Sequence, residues 1–231
     1  MRILLIRHGQ TPCNITGQLD TAFPGAGLTE LGHSQAAALP RAFTEHRIAA
    51  VYASKLIRTQ LTGAPLAAAH GHTIAVVEGL EEISAGDFEM RSDPQSRGAY
   101  VECLLDWIRG DLARRMPGGC DGREFLARFD AALATIARSH APEETAVAFS
   151  HGAAIRVYTA IRSGLDATAG AQLQIMNTGG ALLEGDPAQG WKLSAWYAEP
   201  IGGAGLDGFS AQDVTGATSL AETAVTAEGK A

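Results

Sequence analysis

The chain has 231 residues, 46% of them apolar, which suits one α/β domain with a sizeable core, and no run approaches the roughly 20 apolar residues of a membrane span. Acidic residues outnumber basic ones 25 to 18, for a formal charge of −7, a balance that disfavours nucleic acid as a partner but not an anionic small molecule held by a few local arginines. The three cysteines, Cys13, Cys103 and Cys120, show no metal-ligand spacing and cannot all pair, so reduced thiols in a cytoplasmic chain are expected.

In chain order, the apolar run at residues 3–6 is too short for a leader peptide and reads as a buried strand. The polar turn Arg7-His8-Gly9-Gln10-Thr11 follows, then a Gly/Pro-punctuated loop to Gly27. Thr29 is placed to cap a helix from Glu30, which Pro40 kinks or splits. Residues 49–53 read as a second strand, with Ser54 as cap of a helix carrying Leu56, Leu61 and Leu66, and 74–77 as a third strand. An irregular stretch over 78–98 leads to a helix at about 101–113. After a turn at 117–122, Asp121 with Glu124 gives a capping-box start to a helix ending near His140. Residues 145–149 are β-branched and apolar, followed by Ser150-His151-Gly152 and a helix to about Arg162; strands near 174–176, 181–184 and 191–196 close the domain.

Alternating strands and helices predict a three-layer α/β sandwich, with a mostly parallel central sheet, one antiparallel edge strand and helices on both faces. The domain is expected over residues 1–200. Residues 201–231, rich in Gly, Ala and Thr, read as a mobile tail or a loosely packed extension.

Three polar clusters fall just after predicted strands: Arg7-His8-Gly9, Ser54 to Arg58, and Ser150-His151-Gly152. Ligands of open α/β sheets sit beyond the carboxyl ends of the strands, so two arginines and two histidines are expected to converge at one edge. Arg58 and His151 are also expected close to helix N-termini, whose free N–H groups favour anions. Such a site suits the dianion of a phosphate monoester.

These clusters resemble the histidine phosphatase superfamily, the phosphoglycerate mutase-like family. Its Arg-His-Gly signature stands here as Arg7-His8-Gly9-Gln10-Thr11, with Asn14 and Gly17 following. The segments Leu28 to Ala36, Val51 to Thr59 with Thr62, and Leu80-Glu81-Glu82-Ile83 with Gly86-Asp87-Phe88-Glu89 match in order. Pro117-Gly118-Gly119, Phe149-Ser150-His151-Gly152 and Asn177-Thr178-Gly179 extend the likeness to about residues 2–197. Three positions depart from the usual pattern: Cys13 often has an aromatic counterpart, Phe88-Glu89-Met90 replaces Trp-Glu-Gly, and Cys120-Asp121 replaces Glu-Ser.

The resemblance implies that His8 attacks phosphorus, that Arg7 and Arg58 hold the non-transferring oxygens, and that His151, protonated while the dianion is bound, adds a donor. Glu82 is the expected proton donor, with Glu81 and Glu89 as rivals. Asn14 either bonds phosphate or structures its loop, and Thr59 either contacts substrate or packs its helix. Neither cofactor nor metal is expected. The partner is a small phosphorylated substrate, with no nucleic acid and no membrane, and a homodimer would be unsurprising. Hydrolysis is favoured over mutase transfer because only Arg91 and Arg97 lie between Phe88 and Trp107 to hold a bisphosphate. A catalytically silent phospho-ligand scaffold is the remaining alternative.

Overall fold

The computed structural model describes residues 1–208 and 213–215. Its centre is a pair of apolar strands, β1 (Arg2–Arg7) and β4 (Thr145–Ser150), which run parallel with Arg7 opposite Ser150. Both are buried on both faces, as strands are when helices cover the two sides of a parallel sheet. β2 (Ala50–Ala53) pairs with β4 in parallel, and β3 (Ile74–Val76) lies outside β2. On the far side, β5 (Gly180–Asp186) is antiparallel to β1, and β6 (Gly190–Tyr197) is antiparallel to β5. The order is β3-β2-β4-β1-β5-β6. The antiparallel strand therefore lies one place in from the edge, because the short turn after Asp186 folds β6 back outside it.

Side chains alternate between two helical layers. Leu4, Ile6, Val51, Val147 and Phe149 meet Leu39 and Leu66 on one side. Ile3, Leu5, Ala146 and Ala148 meet Tyr100, Trp107, Phe125, Phe129 and Tyr158 on the other. The helices are α1 (Pro12–Thr16), α2 (Glu30–Ala42), α3 (Ile57–Ala69), α4 (Pro94–Ile108), α5 (Gly122–Ala137), α6 (Gly152–Arg162) and α7 (Ala167–Ala171). No helix among the described residues is long and apolar enough to cross a membrane.

Caps explain most helix starts. Thr29 accepts from the Gly32 N–H, and Asp121 and Glu124 form the expected capping box. Pro40 sits inside α2 without breaking it. α4 starts about seven residues before the expected position, because Asp93 caps it, accepting from Ser96, and Pro94 occupies the first turn. α3 starts after Leu56, which makes no side-chain cap; Ser54 is not the cap.

Residues 174–176 form no named strand. Their carbonyls are used elsewhere, Ile175 by Arg7 at 2.8 Å and Gln174 by the Trp196 indole at 2.9 Å. Beyond 200 the described chain packs back onto the domain: Gln35 donates to the Leu206 carbonyl at 2.8 Å and Gln10 to that of Gly208 at 3.1 Å. Residues 201–208 are half-buried or exposed against the domain; the expectation for 209–212 and 216–231 lies outside the described residues.

Candidate active site

The carboxyl ends of β1, β4 and β2 deliver Arg7-His8, Ser150-His151 and Ser54 to one edge of the sheet. The His8 backbone N–H donates to the Ser150 carbonyl at 3.1 Å, joining two of these ends. Gly9 touches the start of α2, where a Cβ would lie 2.7 Å from the Gly32 carbonyl oxygen; only glycine permits this approach. The Gly9 N–H donates to Thr62 Oγ1 at 2.8 Å, and Asn177 Nδ2 donates to the His8 carbonyl at 3.0 Å. The His8 loop is therefore fixed from three directions.

His8 Nδ1 lies 2.7 Å from the Gly9 carbonyl oxygen, which only accepts, so in the neutral ring the proton sits on Nδ1 and the lone pair on Nε2. Burial, then Arg58 and Arg7, hold His8 well below the usual imidazole range, against a smaller opposing effect of the Gly9 carbonyl. The His151 ring lies 5.3 Å from it, centroid to centroid, tilted by 59°. Burial, then Arg58 and His8, likewise push His151 well down.

His151 Nε2 is 2.8 Å from Ser54 Oγ, which is 3.1 Å from Thr59 Oγ1. The Thr59 hydroxyl also reaches the Leu56 and Ser54 carbonyls, at 2.8 and 3.0 Å. Thr59 is fully buried and positions Ser54; its hydroxyl is engaged by that turn rather than presented to a substrate. Ser54 was expected as a helix cap at the start of a polar cluster, with no role of its own in the site. Its polar side chain just after a strand end was the available signal for a site role.

Arg7 and Arg58 are buried side by side with the imidazoles. Arg7 Nη1 donates to the Ile175 carbonyl, while Arg58 Nη2 donates to the Asp20 carbonyl at 2.9 Å and Nη1 to Asp20 Oδ2 at 3.4 Å. Among the described residues, Arg7 Nε, Arg58 Nε and His151 Nδ1 are buried without a hydrogen-bond partner. Orphaned polar groups of this kind are costly, and three on the residues expected to bind phosphate mark an anion cup. Arg156, on α6 and not foreseen, is buried near them; burial and then Arg7 lower it to about 10.

Glu82 lies at the amino end of α6. Its Oε1 accepts from Ala154 and Ile83 at 2.8 and 2.9 Å, and its Oε2 from Ala153 at 3.1 Å. Those donors favour the carboxylate, yet burial outweighs them and raises its pKa. Its rivals are committed elsewhere. Glu81 faces Arg128 at 3.1 Å and the Gly79 N–H at 2.7 Å, while Glu89 accepts from Thr21 and Ala22 and braces the loop carrying Asp20.

Asn14 structures its loop through one end of its amide, and its other end faces a carboxylate. Its Oδ1 accepts from Thr11 N–H at 2.9 Å as part of a capping box, and its Nδ2 points to an anion, Asp213 Oδ1, at 3.4 Å. Cys13, next to it in sequence, is buried; burial and Asp20 push its thiol up to about 11.

Residues 3–199 match the profile of the histidine phosphatase superfamily (branch 1). The chain belongs to that superfamily. A PE-PGRS family protein of Mycobacterium tuberculosis is 36% identical over 218 residues, covering 87% of this chain, which spans only 37% of that longer protein. A protein of Erwinia tasmaniensis named as a probable phosphoglycerate mutase, GpmB, is 30% identical over 210 residues, covering 87% of this chain and 93% of its own length. Among solved structures, mycobacterial glucosyl-3-phosphoglycerate phosphatase superposes with a TM-score of 0.71 at 25% identity, covering 86% of this chain and 99% of that one. This histidine phosphatase fold thus has both phosphatase-named and mutase-named relatives, and phosphoryl chemistry is common to them.

Proposed function

We propose that this chain hydrolyses a small phosphate monoester through a phosphohistidine on His8. The observation that carries the reading is the committed Nδ1 of His8, which leaves the Nε2 lone pair of a neutral, buried imidazole as nucleophile. In the first step His8 Nε2 bonds to phosphorus while the ester P–O bond breaks, and the proton of Glu82 passes to the departing alkoxide. In the second, Glu82 removes a proton from water as the water oxygen bonds to phosphorus and the P–N bond breaks, releasing inorganic phosphate.

Arg7, Arg58 and Asn14 hold the non-transferring oxygens. A bound dianion opposes the positive neighbours that keep His151 neutral, so His151 takes up a proton and donates through Nδ1. Thr59 acts through Ser54. Hydrolysis is favoured over transfer to a retained intermediate because Arg91 is paired with Asp93 at the surface, 3.0 Å away, rather than held toward a bisphosphate.

The test is acid-quenched labelling with a phosphate-labelled ester in the native protein and in His8→Ala. Label on the native chain, none on the variant, and a loss of turnover of about 10⁴-fold or more are expected. Label that survives the substitution overturns the nucleophile, and interconversion of phosphoglycerates outrunning hydrolysis establishes the mutase instead.

A further inference from the structure

One acidic segment of the chain itself reaches the cup. Asp213 Oδ2 lies 2.5 Å from Arg7 Nη2, and its Oδ1 faces Asn14 Nδ2 at 3.4 Å. Thr215 Oγ1 accepts from the same Arg7 Nη2 at 2.9 Å and donates to Asp213 Oδ1 at 2.9 Å. The Thr215 carbonyl accepts from Arg156 Nη1 at 3.1 Å, and a Cβ on Gly152 would lie 2.5 Å from that oxygen and 2.9 Å from Arg7 Nε. One residue therefore bridges two buried arginines, lying directly over the glycine that starts α6. Asp213 is itself 12% exposed, against 1% for Arg7.

A carboxylate on Arg7 and Asn14 stands where a phosphoryl group is read to bind. It is an incomplete substitute. Aspartate offers two oxygens in a plane and a single charge, whereas a phosphoryl dianion offers three terminal oxygens and nearly two charges. Accordingly Asp213 engages the outer nitrogen of Arg7, while Arg7 Nε, Arg58 Nε and His151 Nδ1 have no hydrogen-bond partner among the described residues. The ion pair offsets part of the penalty of burying Arg7, and a better-matched anion can displace it.

We propose that Asp213-Val214-Thr215 is a built-in competitor for the phosphoryl cup, with the Asp213 carboxylate in the place of the substrate anion and Thr215 clamped between Arg7 and Arg156. Substrate binds only when this segment leaves, so the apparent affinity is lowered by the fraction of molecules in which the segment is seated. The inference rests on the reading of the cup as a phosphoryl site, but not on turnover.

The experiment compares the full chain with Asp213→Asn and with the isosteric Thr215→Val, using inorganic phosphate in calorimetry and p-nitrophenyl phosphate in kinetics. For Asp213→Asn, the phosphate dissociation constant and KM are both expected to fall about three- to tenfold with kcat held, and Thr215→Val should move them less in the same direction. Unchanged or weaker phosphate binding in Asp213→Asn overturns the inference, as does a fall in its kcat, which would make Asp213 part of the reacting site. Tighter phosphate binding with no turnover in either protein keeps the competitor and removes the phosphatase. Normal turnover with unmoved phosphate affinity does the reverse.

Discussion

Two ends of the same sheet carry clusters of histidines, and they treat them in opposite ways. At the amino ends of β2, β3 and β4, a groove of about 490 Å³ is lined by Arg47, His70, His72, His140 and Glu144, among others. There His140 has both ring nitrogens engaged, Nδ1 with Glu144 at 3.0 Å and Nε2 with the Tyr52 hydroxyl at 2.9 Å. Glu144 is in turn fixed by the Ala141 N–H, which with His140 holds its carboxyl below the usual range. At the carboxyl ends, His8 and His151 each have one nitrogen committed and the other without a partner among the described residues, as are the Nε atoms of the two arginines beside them. A histidine completed by its neighbours is structural; one left half-completed among buried cations is prepared for a ligand.

That contrast breaks most sharply at Glu82. Glu82→Gln keeps the shape but cannot supply a proton, so kcat on an alkyl phosphate should fall about 10²–10⁴-fold, and much less on p-nitrophenyl phosphate, whose leaving group needs little help. Equal losses on both esters would place the proton donor elsewhere. The proposed mechanism needs Glu82 protonated and His8 neutral, so under it the rate should decline with rising pH above the ordinary carboxylate range. Its acid limb should lie below about 6.5, as the lowered His8 pKa requires. The two depressed imidazoles also imply that the unfolded chain takes up protons first. Stability should therefore fall as pH drops through about 6.5 and below, a trend that denaturant titration at several pH values measures.

Arg58→Lys comes next. It retains the charge and loses the planar fork, and kcat/KM should drop about 10- to 100-fold. Wild-type kinetics in this variant would remove Arg58 from the cup. Ser54→Ala should have a smaller effect, about tenfold in kcat, by leaving His151 Nε2 without its 2.8 Å partner. The decisive readout is the His151 titration by NMR, which should shift in Ser54→Ala and recover in Ser54→Thr. At the opposite end, Tyr52→Phe should leave kcat/KM untouched and lower stability by about 1 kcal/mol, seen in the denaturation midpoint. A kinetic effect there would erase the distinction between the two ends.

Much of this was legible in residue order. Continuous apolar runs ending in Arg7-His8 and Ser150-His151 placed the strands and the convergent edge, since the chemistry sits where periodicity stops. The alternation of neighbouring side chains allowed only one of Glu81 and Glu82 to face the site, the family resemblance favoured Glu82, and in the structure Glu81 faces Arg128. What stayed hidden was long-range. Nothing near Arg156 in sequence announces a third cup arginine, because it depends on one helical turn beyond His151 being buried. The extra turns at the start of α4 were masked by the polar run from Pro94 to Gly98, despite a cap and proline that signal a start. The composition of residues 201–208, poor in large apolar groups, concealed a segment held by side chains of Gln10 and Gln35 to its carbonyls rather than by burial.

The protonation of Cys13 has a practical consequence. With its thiol raised to about 11, roughly one molecule in 10⁴ carries a thiolate at neutral pH, and iodoacetamide or hydrogen peroxide finds almost nothing to react with beside the cup. Activity should then survive alkylation and mild oxidation that silence phosphatases built on a sulfur nucleophile, and reducing agents should be dispensable during handling.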